Sequence, residues 1–140
     1  MSSKKIKIIL FGFFILLILC VYNLTTRKDI IIQEAKIVTG VDKNIMPLKV
    51  TNLFPKNTSK VCVWISWRSV KINTQILVKW YYLTDDIPIY NYVLTISKRQ
   101  GVANVELSMP EGKNLPSGSY KADIFSGKKR LIKTLTFEIE

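Results

Sequence analysis

The sequence predicts an all-β sandwich of about seven strands behind one N-terminal transmembrane helix. Two observations carry this prediction. Residues 8–26 hold no charged side chain, and seven short strand patterns separated by turn residues follow them. Beyond this apolar head, no stretch shows the 3.6-residue apolar period of an amphipathic helix. About 110 of the 140 residues lie behind the head, which is the size of one domain.

The N-terminal segment has the length and the flanking charges of a membrane anchor. A helix over residues 8–26 would be about 28 Å long, close to the thickness of bilayer hydrocarbon. Five basic residues and no acidic residue flank it: Lys4, Lys5, Lys7, Arg27 and Lys28. The sequence therefore predicts a cytoplasmic tail over 1–7, a single-pass helix in the inner (cytoplasmic) membrane, and a periplasmic or extracellular domain over 27–140.

Two other fates of the head stay open. A cleaved signal peptide would need small residues before the cut, whereas Tyr22, Asn23 and Leu24 stand near the end of the apolar run. A bacterial lipoprotein signal would need a small residue directly before the lipidated cysteine, and Leu19 precedes Cys20. We therefore favour an uncleaved anchor, with a secreted or lipid-anchored form, cleaved or modified near Cys20, as the alternative.

The body of the chain reads as strands at even spacing. The predicted strands are Asp29–Val38, Lys60–Trp67, Gln75–Leu83, Ile89–Ser97, Val102–Met109, Gly118–Ser126 and Arg130–Glu140. Proline, glycine, asparagine and aspartate mark the turns between them, including Asp85-Asp86, Gln100-Gly101 and a turn that begins at Phe54. A two-layer sandwich of immunoglobulin-like type is the natural arrangement for such a set.

Alternation along each strand predicts which side chains face the core. The inward set is Val61, Val63, Ile65, Trp67, Ile76, Val78, Trp80, Tyr82, Tyr120, Ala122, Ile124, Leu131, Leu135, Phe137 and Ile139, with Lys133 as an awkward member. Cys62 has the opposite parity, and the sixth strand offers no second cysteine, so we expect a small apolar filler rather than a disulfide or a reactive thiol.

Three segments add a resemblance. They read "LFPKNTSKVCVWISW", "NTQILVKWYYL" and "LPSGSYKADIFSGKK", the last followed by "LTFEIE". Together they resemble small immunoglobulin-like modules, membrane-anchored or extracytoplasmic, of bacterial proteins, which implies a fold and a compartment but no chemistry. In the third segment, Pro116 and Gly118 are expected to make a corner, with Tyr120 packed beneath it and its hydroxyl free to bond the backbone.

The residues offer little catalytic chemistry. The chain contains no histidine, no CxxC spacing and no glycine-rich phosphate loop. Asp85-Asp86 is the one adjacent acid pair and is expected to serve turn geometry, with a weak cation site as the alternative. We therefore expect no catalytic residue, no metal and no cofactor, and we keep an enzyme of unrecognised type as a distant alternative.

One aromatic surface is a candidate for binding. Trp64 and Tyr81 have outward parity, together with the basic residues Lys79 and Arg68. Exposed tryptophan and tyrosine beside bases would favour contact with a protein partner, a glycan or the membrane interface. The alternative is that this face is covered by the first strand or by residues 43–56.

Of the net charge of +11, residues 1–28 hold +5, and the remaining +6 is spread along the chain. Residues 29–140 hold 16 basic residues against 10 acidic ones, which is typical of a solvated surface. Nucleic-acid binding would need this surface in the cytoplasm, which the expected topology opposes. The prediction is a non-catalytic module for binding or complex assembly in the cell envelope, with a protein partner and the bilayer as its neighbours. The sequence leaves the ligand and the oligomeric state open.

Overall fold

The computed structural model describes residues 15–18, 30–69, 71–127 and 130–140. The described residues form eight strands: β1 (Ile30–Val38), β2 (Leu53–Phe54), β3 (Lys60–Ser69), β4 (Gln75–Tyr82), β5 (Ile87–Thr95), β6 (Gln100–Ser108), β7 (Gly118–Ser126) and β8 (Arg130–Ile139). A 3₁₀ turn, Pro110–Gly112, follows β6. The all-β prediction is confirmed, and the seven predicted strands are all present.

The strands form two sheets. One has three strands in the order β1-β3-β6, and the other has five in the order β2-β8-β7-β4-β5. All neighbours are antiparallel except β2 and β8, which run parallel. Side chains from both sheets meet in one apolar core. The predicted two-layer sandwich is therefore confirmed.

The centre of the core is aromatic. Trp80 is fully buried, and its ring meets that of Phe137 edge-on at 6.1 Å. Phe137 also stacks on Tyr120, with ring centroids 4.9 Å apart. Ile76 and Val78, which share a face of β4 with Trp80, are fully buried as alternation predicted. Each large ring buries more apolar area than an aliphatic side chain, so this cluster anchors β4, β7 and β8 to one another.

The inward assignment of β8 is wrong at its start. Leu131 is 52% exposed, whereas its neighbour Ile132 packs against the core. Ile132 is the extra residue of a bulge in β8, because Ile124 of β7 pairs with Lys133 and Phe125 pairs with Leu131. One extra residue exchanges the two faces of a strand. Lys133 keeps its inward position by reaching across the sandwich, where its Nζ donates to the carbonyl of Ala35 at 3.0 Å.

Two predicted turns are strands in the structure. Phe54, placed in a turn, belongs to the short strand β2, pairs with Ile139, and buries its ring edge-on to Phe137 at 5.7 Å. Gln100-Gly101, also placed in a turn, begins β6. Glycine fits there because a Cβ on Gly101 would lie 2.7 Å from Cζ2 of Trp67. Long-range packing therefore decides both positions.

The corner before β7 has the expected construction. The Tyr120 hydroxyl donates to the Pro116 carbonyl at 2.6 Å. Gly118 has a φ of 137°, and a Cβ there would lie 2.5 Å from Oγ1 of Thr84. Only glycine combines that backbone angle with that close approach.

The predicted anchor lies almost entirely outside the described residues. Of the segment 8–26, residues 15–18 are described; they are helical, and their apolar side chains are exposed. Within the described part of the chain, no helix has the length and apolarity needed to cross a membrane. The predicted tail over 1–7 is not described.

Candidate functional site

The four residues predicted as a binding surface lie on two different sheets. Trp64 and Arg68 belong to β3 of the three-stranded sheet, whereas Lys79 and Tyr81 belong to β4 of the five-stranded sheet. All four have the parity that points away from the shared core. They therefore lie on opposite outer faces of the sandwich and do not form one surface.

Trp64 is covered rather than exposed. It is 5% exposed, and its Nε1 donates to the carbonyl of Ile45 at 2.6 Å. The covering turn is held by Asp42, whose Oδ1 accepts the backbone N–H of Asn44 at 2.8 Å and of Met46 at 2.9 Å. The segment 43–56 therefore covers Trp64, which was the alternative to an exposed surface. The prediction that Trp64 is exposed is wrong.

On the other outer face, the bases are held by neighbouring rings. Nζ of Lys121 lies 4.4 Å from the ring centroid of Tyr81, and Nζ of Lys79 lies 5.1 Å from that of Phe125. Lys121 also pairs with Asp123 at 3.0 Å. In such contacts the cation is attracted to the face of the aromatic ring. Lys79, Tyr81 and Lys121 therefore contact other side chains of the same face.

The feature that the sequence reasoning missed is β5, an edge strand of the five-stranded sheet. Its nine residues carry no charge, in a chain with 22% charged residues. Ile87 is 49% exposed, Tyr90 49% and Val93 52%, and Leu94 is the one residue of the strand that is partly buried. Apolar side chains therefore line an unpaired strand edge.

Register explains why tyrosines of β5 are exposed. Tyr90 pairs with Trp80, and Tyr92 pairs with Val78, and both partners point into the core. Tyr90 and Tyr92 consequently face the core side of the sheet. The opposing three-stranded sheet ends at β6, so β5 extends beyond the edge of that sheet. Tyr92 therefore remains 39% exposed.

We name the surface formed by β5 and the facing end of β6 the open flank. Two clefts lie along it. The first, of about 170 Å³, is apolar and is lined by Ile87, Ile89, Met109 and Pro116 among others. The second, of about 400 Å³, lies between Tyr90 of β5 and residues 106–110. Ile89 contributes to both clefts, so they adjoin, and the second is also lined by the polar side chains of Glu106 and Ser108. A larger cleft, of about 520 Å³, is lined mainly by polar residues of the 71–75 loop.

The sequence of β5 itself carries a signal that could have pointed to this surface. The run "IPIYNYVLT" is apolar at both parities, whereas an antiparallel strand with one solvated face alternates apolar and polar residues. Such a run is normally read as a strand buried on both faces. Only the strand order shows that β5 is an edge, and that its apolar residues are therefore exposed.

Cys62 is buried, whereas the acid pair Asp85-Asp86 lies in an exposed turn. Cys62 is 1% exposed, and burial raises the pKa of its thiol, which keeps it protonated. Asn104 Nδ2 donates to its Sγ at 3.5 Å. Asp85 and Asp86 lie in the turn before β5, where Asp86 has a φ of 52°. Among the described residues, no group of three or more histidine, cysteine or acidic side chains could hold a metal.

No family model and no curated protein matches the sequence. Among solved structures, an immunoglobulin-like protein from Pseudomonas aeruginosa aligns over 82% of this chain and 99% of its own, with a TM-score of 0.56 at 10% identity. The C-terminal domain of wzt aligns over 81% of this chain and 75% of its own, with a TM-score of 0.51 at 13% identity. The domain therefore has an immunoglobulin-like fold. At these identities the likeness shows the fold alone.

Proposed function

We propose that this chain is a single-pass, membrane-anchored immunoglobulin-like module that works outside the cytoplasm. In this proposal it binds protein partners through the open flank and catalyses no reaction. The observation that carries the proposal is β5, an uncharged edge strand whose apolar side chains are exposed. Contiguous exposed apolar surface marks interaction sites in soluble domains.

Edge strands without charge are open to a further strand. Native proteins usually protect such edges with lysine, proline or a bulge. Here Pro88 lacks an N–H, and Ile89 is the extra residue of a bulge opposite Trp80 and Tyr81. These devices weaken pairing at the start of β5 but do not close its edge. The part from Tyr90 to Thr95 keeps regular pairing with β4 and offers its outer edge for strand addition.

The anchor is supported by the chain that precedes the domain. Residues 8–26 carry no charge, and the described residues 15–18 are helical with exposed apolar side chains. The first strand begins at Ile30. Only residues 27–29 separate the expected helix from β1, so the domain would lie close to the bilayer.

A non-catalytic role is supported by the state of the polar side chains. The thiol of Cys62 is buried among apolar neighbours, which makes it a poor nucleophile. The carboxylate of Asp123 is bound by Lys121 and by the hydroxyl of Thr134 at 2.6 Å. The side chains of Cys62 and Asp123 therefore take part in contacts that stabilise the fold.

Thiol labelling tests the topology. In a full-length Cys20→Ser background, Lys113→Cys places a thiol on an exposed loop, and Ser3→Cys places one in the expected tail. A reagent that cannot cross membranes should label the first variant in intact spheroplasts and the second only after permeabilisation. The reverse pattern would exclude an extracytoplasmic domain. The intact mass of the purified chain separates the anchored form from a cleaved or lipidated one.

Photocrosslinking tests the binding surface. A photoreactive residue in place of Tyr90 should capture a protein partner in cells, whereas one in place of Lys56, exposed on a loop before β3, should not. Equal capture at the two positions, or none at Tyr90, contradicts a binding role for the open flank.

A further inference from the structure

We propose that the occupant of the open flank is a second copy of this chain. Its β5 would pair antiparallel with the β5 of the first copy and join the two five-stranded sheets across a two-fold axis. This inference rests on the proposed function, because it names the partner of the same surface. Three properties of β5 and its flanks carry it.

The first property is the absence of charge along β5. In a two-fold pair each residue near the axis meets itself or its close neighbour in the other copy. A charge there would meet a like charge, which destabilises directly opposed strand residues. Ile87–Thr95 has its midpoint at Asn91 and holds no charged residue, although the chain carries a net charge of +11.

The second property is the charge order at the ends of the strand. Asp85 and Asp86 precede β5, Lys98 and Arg99 follow it, and all four are exposed. Across residues 30–69, 71–127 and 130–140, none of these four side chains forms an ion pair. Antiparallel pairing of two copies brings the acids of one beside the bases of the other at both ends. An unrelated partner would match this pattern only if it carried the same order of charges.

The third property is the position of the tyrosines. Around an axis near Asn91, Tyr90 of one copy lies opposite Tyr92 of the other, on the core side of the joined sheet. Aromatic side chains in directly opposed positions pack well and stabilise antiparallel pairs. Their exposed ring surface would be covered by the equivalent surface of the second copy.

A cysteine scan in native membranes tests this pairing. Single cysteines at Ile87, Asn91 and Thr95 are placed in the full-length Cys20→Ser chain, with Gln33→Cys on the exposed edge strand β1 as the matched control. A short bifunctional thiol reagent should crosslink Asn91→Cys into a dimer about tenfold more than the others. Two copies of residue 87 or of residue 95 would lie about 26 Å apart, beyond the reach of such a reagent.

A charge exchange tests the ends of the strand. Asp85→Lys or Arg99→Glu alone should weaken the dimer about three- to tenfold, because each creates two like-charge contacts across the axis. The double variant Asp85→Lys/Arg99→Glu should restore it to within about twofold. Lys56→Glu, a charge change away from β5, should have no effect. Protection of Cys62 from thiol reagents reports that each variant is folded.

The outcomes separate this inference from the proposed function. If Asn91→Cys crosslinks only to a different protein, the self-pairing is overturned and the binding role stands. If it crosslinks to nothing, the self-pairing is overturned, and photocrosslinking at Tyr90 decides the binding role separately. Equal dimer yields at Ile87, Asn91 and Thr95, or a double charge variant as weak as the singles, also overturn the antiparallel pairing.

Discussion

The Tyr120 hydroxyl donates to the carbonyl of Pro116 at 2.6 Å, and the Tyr120 ring stacks on Phe137 at 4.9 Å. One side chain therefore ties the corner before β7 to the centre of the core. Since β7 pairs with both β4 and β8, the position of this corner fixes the five-stranded sheet from which β5 is displayed.

Removing that hydroxyl should destabilise the domain without changing its shape. Tyr120→Phe keeps the ring but leaves the Pro116 carbonyl without this donor, which should lower the free energy of unfolding by about 1–2 kcal/mol. Urea unfolding followed by tryptophan fluorescence measures the change. Tyr92→Phe, at an exposed tyrosine of β5, is the matched control and should stay within about 0.5 kcal/mol of the parent.

The same hydroxyl should make stability fall at high pH. Burial, with a smaller contribution from Tyr82, raises the pKa of Tyr120 to about 12. Because the folded pKa lies above the unfolded value of about 10, folding favours the protonated phenol. This contribution is complete below pH 10 and is lost as the pH rises from 10 towards 12. The difference in unfolding free energy between the parent and Tyr120→Phe should therefore shrink over this range, and a constant difference would contradict the assignment.

The contact between Trp64 and the turn that covers it should hold that turn in place. Trp64→Phe removes the bond to the Ile45 carbonyl and part of the buried ring, so we expect a loss of about 1–3 kcal/mol in unfolding free energy. The covering turn should also open more often. Trypsin should then cut after Lys43, an exposed residue of that turn, several-fold faster than in the parent. Unchanged cleavage would show that the turn is held by Asp42 alone.

Gly101 should tolerate no side chain. Gly101→Ala would place a Cβ 2.7 Å from the Trp67 ring, whose Nε1 is fixed by its bond to the Lys98 carbonyl at 3.1 Å. Overpacking of this kind costs about 1–3 kcal/mol. Gly40→Ala, where the nearest atom would be Cδ1 of Leu48 at an ordinary 3.6 Å, is the control. Denaturant midpoints of the two variants should differ clearly, and equal midpoints would mean that Trp67 moves aside freely.

Strand positions and most of the core followed from local pattern. Alternation predicted the burial of Val78 and Trp80, and the Pro116–Tyr120 segment predicted the corner with its tyrosine. Alternation failed at Leu131, because a bulge at Ile132 of the same strand exchanges the two faces of β8 there. It also failed at Phe54, because a two-residue strand has no period to detect and is fixed by its pairing with β8.

The sequence by itself determined the strand set, the turn chemistry and the apolar head, since these depend on residues close together in the chain. Tertiary structure decided which faces are covered. Trp64 is shielded by a turn some 20 residues before it, and β5 is exposed because the opposing sheet ends at β6. Both outcomes depend on which strands become neighbours, and the order of strands in a sheet depends on packing between residues that are distant in the chain.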